Sequence, residues 1–110
     1  MIWFFVGDML EFSREAVAKL GGRDRSAYNS NDLLPLALAH LVQTIGEAAR
    51  RVSDEFRRTH PEIPWTTIVG MRHRIVHDYT HVDFETVWET VAIDLPTLIS
   101  QLEPIVGEQS

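Results

Sequence analysis

The chain has 110 residues, enough for one hydrophobic core and too few for two ordinary domains, and with 45% apolar and 24% charged residues it has a globular composition. Ten basic residues against sixteen acidic ones give a net charge of -6, which excludes a general nucleic-acid coat built on surplus positive charge. Cysteine is absent, which excludes disulfides, thiolate metal sites and a cysteine nucleophile, and suits the cytoplasm. Met1 to Val6 is apolar, but Gly7 and Asp8 stop the run short of a signal peptide or membrane span. The expectation is a single cytoplasmic helical domain over residues 1-110, with no membrane segment.

The first predicted helix runs from about Trp3 to Leu20, because Phe5, Met9, Phe12, Ala16 and Leu20 recur at steps of three or four while Asp8, Glu11, Arg14 and Glu15 take the other side. Gly21 and Gly22 end it. Arg23 to Ser30 reads as a polar turn, and Asn31 or Asp32 can cap a long second helix, about Asp32 to Thr59, with Pro35 tolerated in its first turn. Its stripe is Leu34, Leu38, Leu41, Ile45, Ala48, Val52 and Phe56. Gly46 lies within this helix at a cost of about 1 kcal/mol against alanine, which points to a close helix contact. Pro61 and Pro64 break the chain. A third helix then starts near Pro64-Trp65 and ends around His77 to Tyr79, with Gly70 again permitting a close approach. Asp83 is the expected N-cap of the fourth helix, with Val82 and Val87 placed for a hydrophobic staple. Pro96 is expected to kink that helix. No strand pattern is evident, so the predicted fold is all-α: an up-down antiparallel bundle of four main helices.

Charge is unevenly spread. From Arg50 to Arg74 there are six arginines against three acids, and Lys19 is the one lysine in the chain. Arginine is the cation better suited to bidentate phosphate contact. For Arg50, Arg51, Arg57 and Arg58 the plainer expectation is a solvated helix face, with i,i+4 pairs Arg50-Asp54 and Arg51-Glu55.

The stretch Arg72 to Tyr79 holds two arginines, two histidines, an acid and a tyrosine in eight residues. Three readings compete. His73, His77 and His81 stand at i, i+4 and i+8 and could ligate a metal from one helix face, but no HExxH glutamate accompanies them and Arg72 and Arg74 repel a cation. The residues could simply terminate a helix, where cations favour the macrodipole. Or they could act on a phosphodiester, with histidine moving protons near neutral pH and arginine meeting the charge that develops on phosphorus. Arg72 and His77 would lie about 140° apart on a regular helix. Their convergence then requires the helix to end near His77, a long arginine reach, or a second copy of the chain.

Arg72-x4-His77-x-Tyr79 resembles the Rx4HxY signature of HepT-like toxins, the HEPN-domain ribonucleases paired with a minimal nucleotidyltransferase (MNT) antitoxin. Asp8-Met9-Leu10, Ile45-Gly46-Glu47-Ala48, Pro61-Glu62-Ile63-Pro64-Trp65, Ile68-Val69-Gly70-Met71-Arg72 and Asp94-Leu95-Pro96 are similar to that family's landmarks, in order along the chain. The resemblance implies a HEPN-like bundle and a metal-independent endoribonuclease without cofactor, in which Arg72 and His77 are the catalytic pair. It implies a site formed between the motifs of a homodimer, possible larger hetero-oligomers with the nucleotidyltransferase, and Tyr79 as the acceptor of AMP from that partner. His73 would hold RNA or orient His77. Arg74 would contact phosphate or form a surface ion pair. Glu47 is open between an arginine partner and a catalytic group, and Asp78, between His77 and Tyr79, would favour protonated His77 if near it. The competing class is a non-catalytic subunit that docks a nucleotidyltransferase.

Overall fold

The amphipathic first segment forms the long helix expected of it, the second forms a long helix that ends earlier than expected, and the rest of the chain packs around them. The computed structural model describes residues 2-107 apart from Asp32 and Tyr79, with side chains from Phe4 onward. Helix α1 is Ile2–Leu20, α2 is Arg25–Asn29, α3 is Leu34–Arg50, α4 is Asp54–Thr59, α5 is Trp65–Val69 and α6 is Met71–Ile75. Strands β1, Val76–Asp78, and β2, His81–Val82, follow, then α7, Phe84–Glu89, a π-helical turn at Thr90–Asp94, and α8, Leu95–Gly107. Helix α1 packs along α3 and α8, while α3 also meets α5, α6 and α7. Met9, Leu38, Val42, Ile45, Ile68, Ile75, Val87, Leu95 and Leu102 are buried together in one core. The fold is all-α, as expected, with a small hairpin added.

Each predicted helix after the first is subdivided. The polar segment after Gly22 is helical: Asp24 accepts from the Ala27 amide and starts α2. Tyr28 from that helix is fully buried, and its hydroxyl donates to the Phe84 carbonyl at 2.8 Å. A tyrosine plugged into the core overrides the polar composition around it. Burial, and secondarily the Asp83 carboxylate, pushes its pKa up to about 12. Asn31 Oδ1 accepts from the Leu33 and Leu34 amides, but the N-cap position of α3 is Leu33, two residues past Asn31 and without a side-chain cap bond of its own; Asp32, the other expected cap, lies outside the described residues.

The second predicted helix stops at Arg50 and restarts at Asp54. Ser53 accepts from the Phe56 amide, and Asp54 and Glu55 occupy the first turn, where carboxylates favour the helix dipole. The break removes the expected Arg50-Asp54 and Arg51-Glu55 pairs: both arginines turn back to Glu47. Arg57 is not a solvated face residue either, since it donates to the Ala49 and Arg50 carbonyls and closes the end of α3.

Gly46 does make the close contact its sequence position suggested. A Cβ there would stand 3.1 Å from the Ile68 carbonyl oxygen of α5. The third predicted helix is two helices jointed at Gly70, and it ends at Ile75, short of His77. The absence of strands was also a wrong expectation: Val76 pairs with Val82 and Asp78 with His81, antiparallel. Asp83 caps α7 as expected, accepting from the Thr86 amide at 3.0 Å. The irregularity of the last predicted helix lies ahead of Pro96, in the π turn where the Leu95 amide reaches back to the Thr90 carbonyl. Pro96 itself falls in the first turn of α8.

Gly46→Val would put two methyl groups and a Cβ against the Ile68 carbonyl. The expected loss is about 2 kcal/mol or more of stability, read as a lowered Tm, because the obstacle is backbone and cannot rotate away.

Candidate functional site

Helix α6 is held by its apolar residues. Met71 and Ile75, four apart, are buried, which leaves Arg72, His73 and Arg74 on its exposed arc. Arg72 and His73 face an open cleft of about 630 Å³ whose other wall includes His40, Glu47 and Arg50 of α3. Gly46 and Gly70 line the same cleft. Arg74 turns to a different groove, beside Asp94, whose carboxylate is 4.0 Å from its guanidinium. Of the two roles considered for Arg74, this contact favours the surface ion pair, at the limit of its range. His73 and Arg72 form no ion pair among the described residues.

His77 is not on the helix. The pairing of Val76 with Val82 and Asp78 with His81 takes two steps along β1 for one along β2, so His77 is the extra residue of a β-bulge. Its side chain is 63% exposed, with Nε2 4.0 Å from Asp83 Oδ2. The helical ladder of His73, His77 and His81 therefore does not exist: the first is on α6, the others on two strands. Asp78 is not the acid at His77. It accepts from the Thr80 amide and hydroxyl and sits 3.0 Å from His81 Nδ1, contacts that hold its carboxyl below the usual range, Thr80 first. Asp83 takes that place. The Thr86 amide and hydroxyl, and to a lesser extent His77, hold Asp83 below the usual carboxylate range as well. Tyr79, the predicted AMP acceptor, lies outside the described residues.

Glu47 is an arginine partner. Arg50, at 2.7 Å, and then Arg51 draw its pKa down to about 2. Sequence reading missed three things: that Arg50 and His40 share a cleft with Arg72, that Asp83 stands beside His77, and that His77 is bulged. For the hairpin that carries the bulge, a weak signal was present in the β-branched residues Val76, Thr80 and Val82; no sequence signal points to Asp83 as the neighbour of His77.

An all-helical domain that buries its stripes and leaves an arginine-histidine pair exposed across a helix-to-hairpin joint belongs to the class of small bundles with a surface motif. More specifically, the chain belongs to the HepT-like ribonuclease family: that family, described as "Ribonuclease HepT-like", matches residues 9-105. The chain is 38% identical over 69 residues, 63% of each protein, to "Probable ribonuclease HepT" of Thermococcus cleftensis. It is 31% identical over 99 residues, 90% of this chain and 86% of the relative, to "Putative RNase TTE0752" of Caldanaerobacter subterraneus subsp. tengcongensis. It is 28% identical over 104 residues, 94% of this chain and 86% of the relative, to "Putative RNase MJ1216" of Methanocaldococcus jannaschii. No solved structure matches it significantly. Among the described residues, no helix is long and apolar enough to cross a membrane.

The depressed Glu47 carboxyl has a pH consequence. Its stabilising contribution is complete above the ordinary value of 4.5 and is lost as pH falls toward about 2. The Tm difference between wild type and Glu47→Gln should therefore shrink across that window. A difference that stays constant would mean that the Arg50 and Arg51 pairing adds nothing.

Proposed function

We propose that the protein is a metal-independent endoribonuclease toxin in which Arg72 and His77 act on the scissile phosphate, and that a minimal nucleotidyltransferase antitoxin silences it by adding AMP to Tyr79. The observation that carries this reading is the placement of the two motif residues. Arg72 is exposed and without a carboxylate partner among the described residues, although the protein is acidic overall. His77 is exposed on a bulge, a device that re-aims one side chain out of a strand.

The chemistry follows from those side-chain types. The RNA 2′-oxygen bonds to phosphorus as the bond from phosphorus to the 5′-oxygen breaks. Histidine takes the 2′-hydroxyl proton, and the leaving 5′-oxygen gains one from a second acid. The products are a 2′,3′-cyclic phosphate and a 5′-hydroxyl. Arg72 offsets the charge that builds on the phosphoryl oxygens and cannot lose its proton. In a displacement where both proton transfers accompany one concerted step, a single His77 does not serve as base and acid at once, and a second copy of the chain facing the first across a two-fold axis supplies the other imidazole. Silencing proceeds by attack of the Tyr79 hydroxyl oxygen on the α-phosphorus of ATP, with loss of pyrophosphate and of the phenol proton. The added phosphate would compete with RNA for Arg72. RNA, the nucleotidyltransferase and a second copy are thus the partners, in the cytoplasm.

Purified protein incubated with RNA in EDTA should cleave it and leave cyclic phosphate ends. His77→Ala should lower the rate by about 10²–10⁴-fold, and Arg72→Ala by about 10²–10³-fold. Wild type no faster than His77→Ala would sink the enzyme and leave the docking subunit as the reading. For the switch, co-expression with a cognate minimal nucleotidyltransferase should add AMP mass to wild type and none to Tyr79→Phe; unmodified wild type would count against it.

A further inference from the structure

We propose that Asp83 is a positioning residue for His77, holding its Nε2 so that Nδ1 is the nitrogen turned to the reacting phosphate. The consequence for catalysis rests on the function proposed above; the contact itself does not. Asp83 is well suited to fix another group because it is itself fixed from three directions. Its amide donates to the Ile75 carbonyl at 2.6 Å. Oδ1 accepts from the Thr86 amide at 3.0 Å, and Oδ2 from the Thr86 hydroxyl at 2.7 Å. The flanking residue Val82 packs on the core, and Val87 is buried in it. Against this anchor His77 carries little restraint of its own: it is exposed and is the unpaired residue of the bulge. Asp83 Oδ2 stands 4.0 Å from Nε2, at the outer limit of an ion pair. Contacts of catalytic groups are often long without substrate and tighten when it binds.

A ring nitrogen that donates to a carboxylate fixes the tautomer and leaves the opposite nitrogen as the acceptor. The other acid near this histidine in sequence is occupied, since Asp78 is engaged by Thr80 and His81. The bulge and the Asp83 anchor together restrict an otherwise free imidazole to one edge.

Capping and positioning can be separated by choice of variant. Asn and Ser cap a helix about as well as Asp, so Asp83→Asn and Asp83→Ser should keep the wild-type Tm, whereas Asp83→Ala should lower it. Because a free neutral imidazole already favours the proton on Nε2, imidazole ¹⁵N NMR should show neutral His77 almost wholly protonated on Nε2 in the wild type, relaxing to the mixture of both tautomers found in a free imidazole in Asp83→Asn and Asp83→Ser. In the RNA cleavage assay the same two variants should lose about tenfold or more in kcat with KM unchanged, the pattern of a lost orienting carboxylate. An unchanged tautomer would overturn the contact. A changed tautomer with wild-type kcat in a cleaving enzyme would overturn the positioning role. Wild type no more active than His77→Ala would instead defeat the ribonuclease reading, while the NMR result would still decide the contact.

Discussion

A single backbone bond, from the Asp83 amide to the Ile75 carbonyl, governs how the motif is displayed. A carbonyl at the end of a helix ordinarily waits for an amide four residues on or for water. Here it is taken by an amide eight residues on, so the helix cannot continue through Val76, and the chain must turn out and back within the residues between. The same residue then opens α7 through its side chain. One position thus closes one helix, closes a hairpin and begins the next helix. The motif arginine stays on the helical side of that junction, while the motif histidine is moved to the extended side.

The electrostatics follow a similar division. Most of the arginine in this acidic chain serves the fold: Arg50 and Arg51 share Glu47, Arg57 closes α3, Arg23 bonds the Lys19 and Leu20 carbonyls, and Arg25 lies over Trp88 while pairing with Glu85. Exposed pairs of this kind add little stability individually. They do leave fewer cations to attract polyanions indiscriminately. The charge that is not matched near α6 therefore stands out against a negative background, which narrows where an anionic chain can settle.

The long helices were legible in the sequence because their signal is cumulative: seven stripe residues from Leu34 to Phe56 all lie on or against the core, even though a break falls among them. The breaks were not legible, because a stripe spaced by threes and fours is nearly indifferent to a one-turn interruption. Ser53 followed by two acids was the local clue, outweighed by the longer pattern. Tyr28 was missed for the opposite reason: it is the lone anchor of a five-residue helix with no periodicity to display. At the site, residue identities were readable and their geometry was not. The offset of about 140° assumed a helix through His77, and whether the chain goes on as helix there is decided by a contact with Asp83, six residues later. Residue type and short spacing carry chemistry in one dimension, while partners such as His77 and Asp83, or Arg72 and Arg50, are set by tertiary structure.

The bulge at position 77 separates what the side chain there can do from what holds the domain together. A residue that adds a count to one strand without pairing across the ladder contributes its side chain to neither the core nor the hydrogen-bond register. The bundle is thus largely indifferent to what stands there. His77 can therefore be exchanged for another side chain without rebuilding the scaffold that displays it.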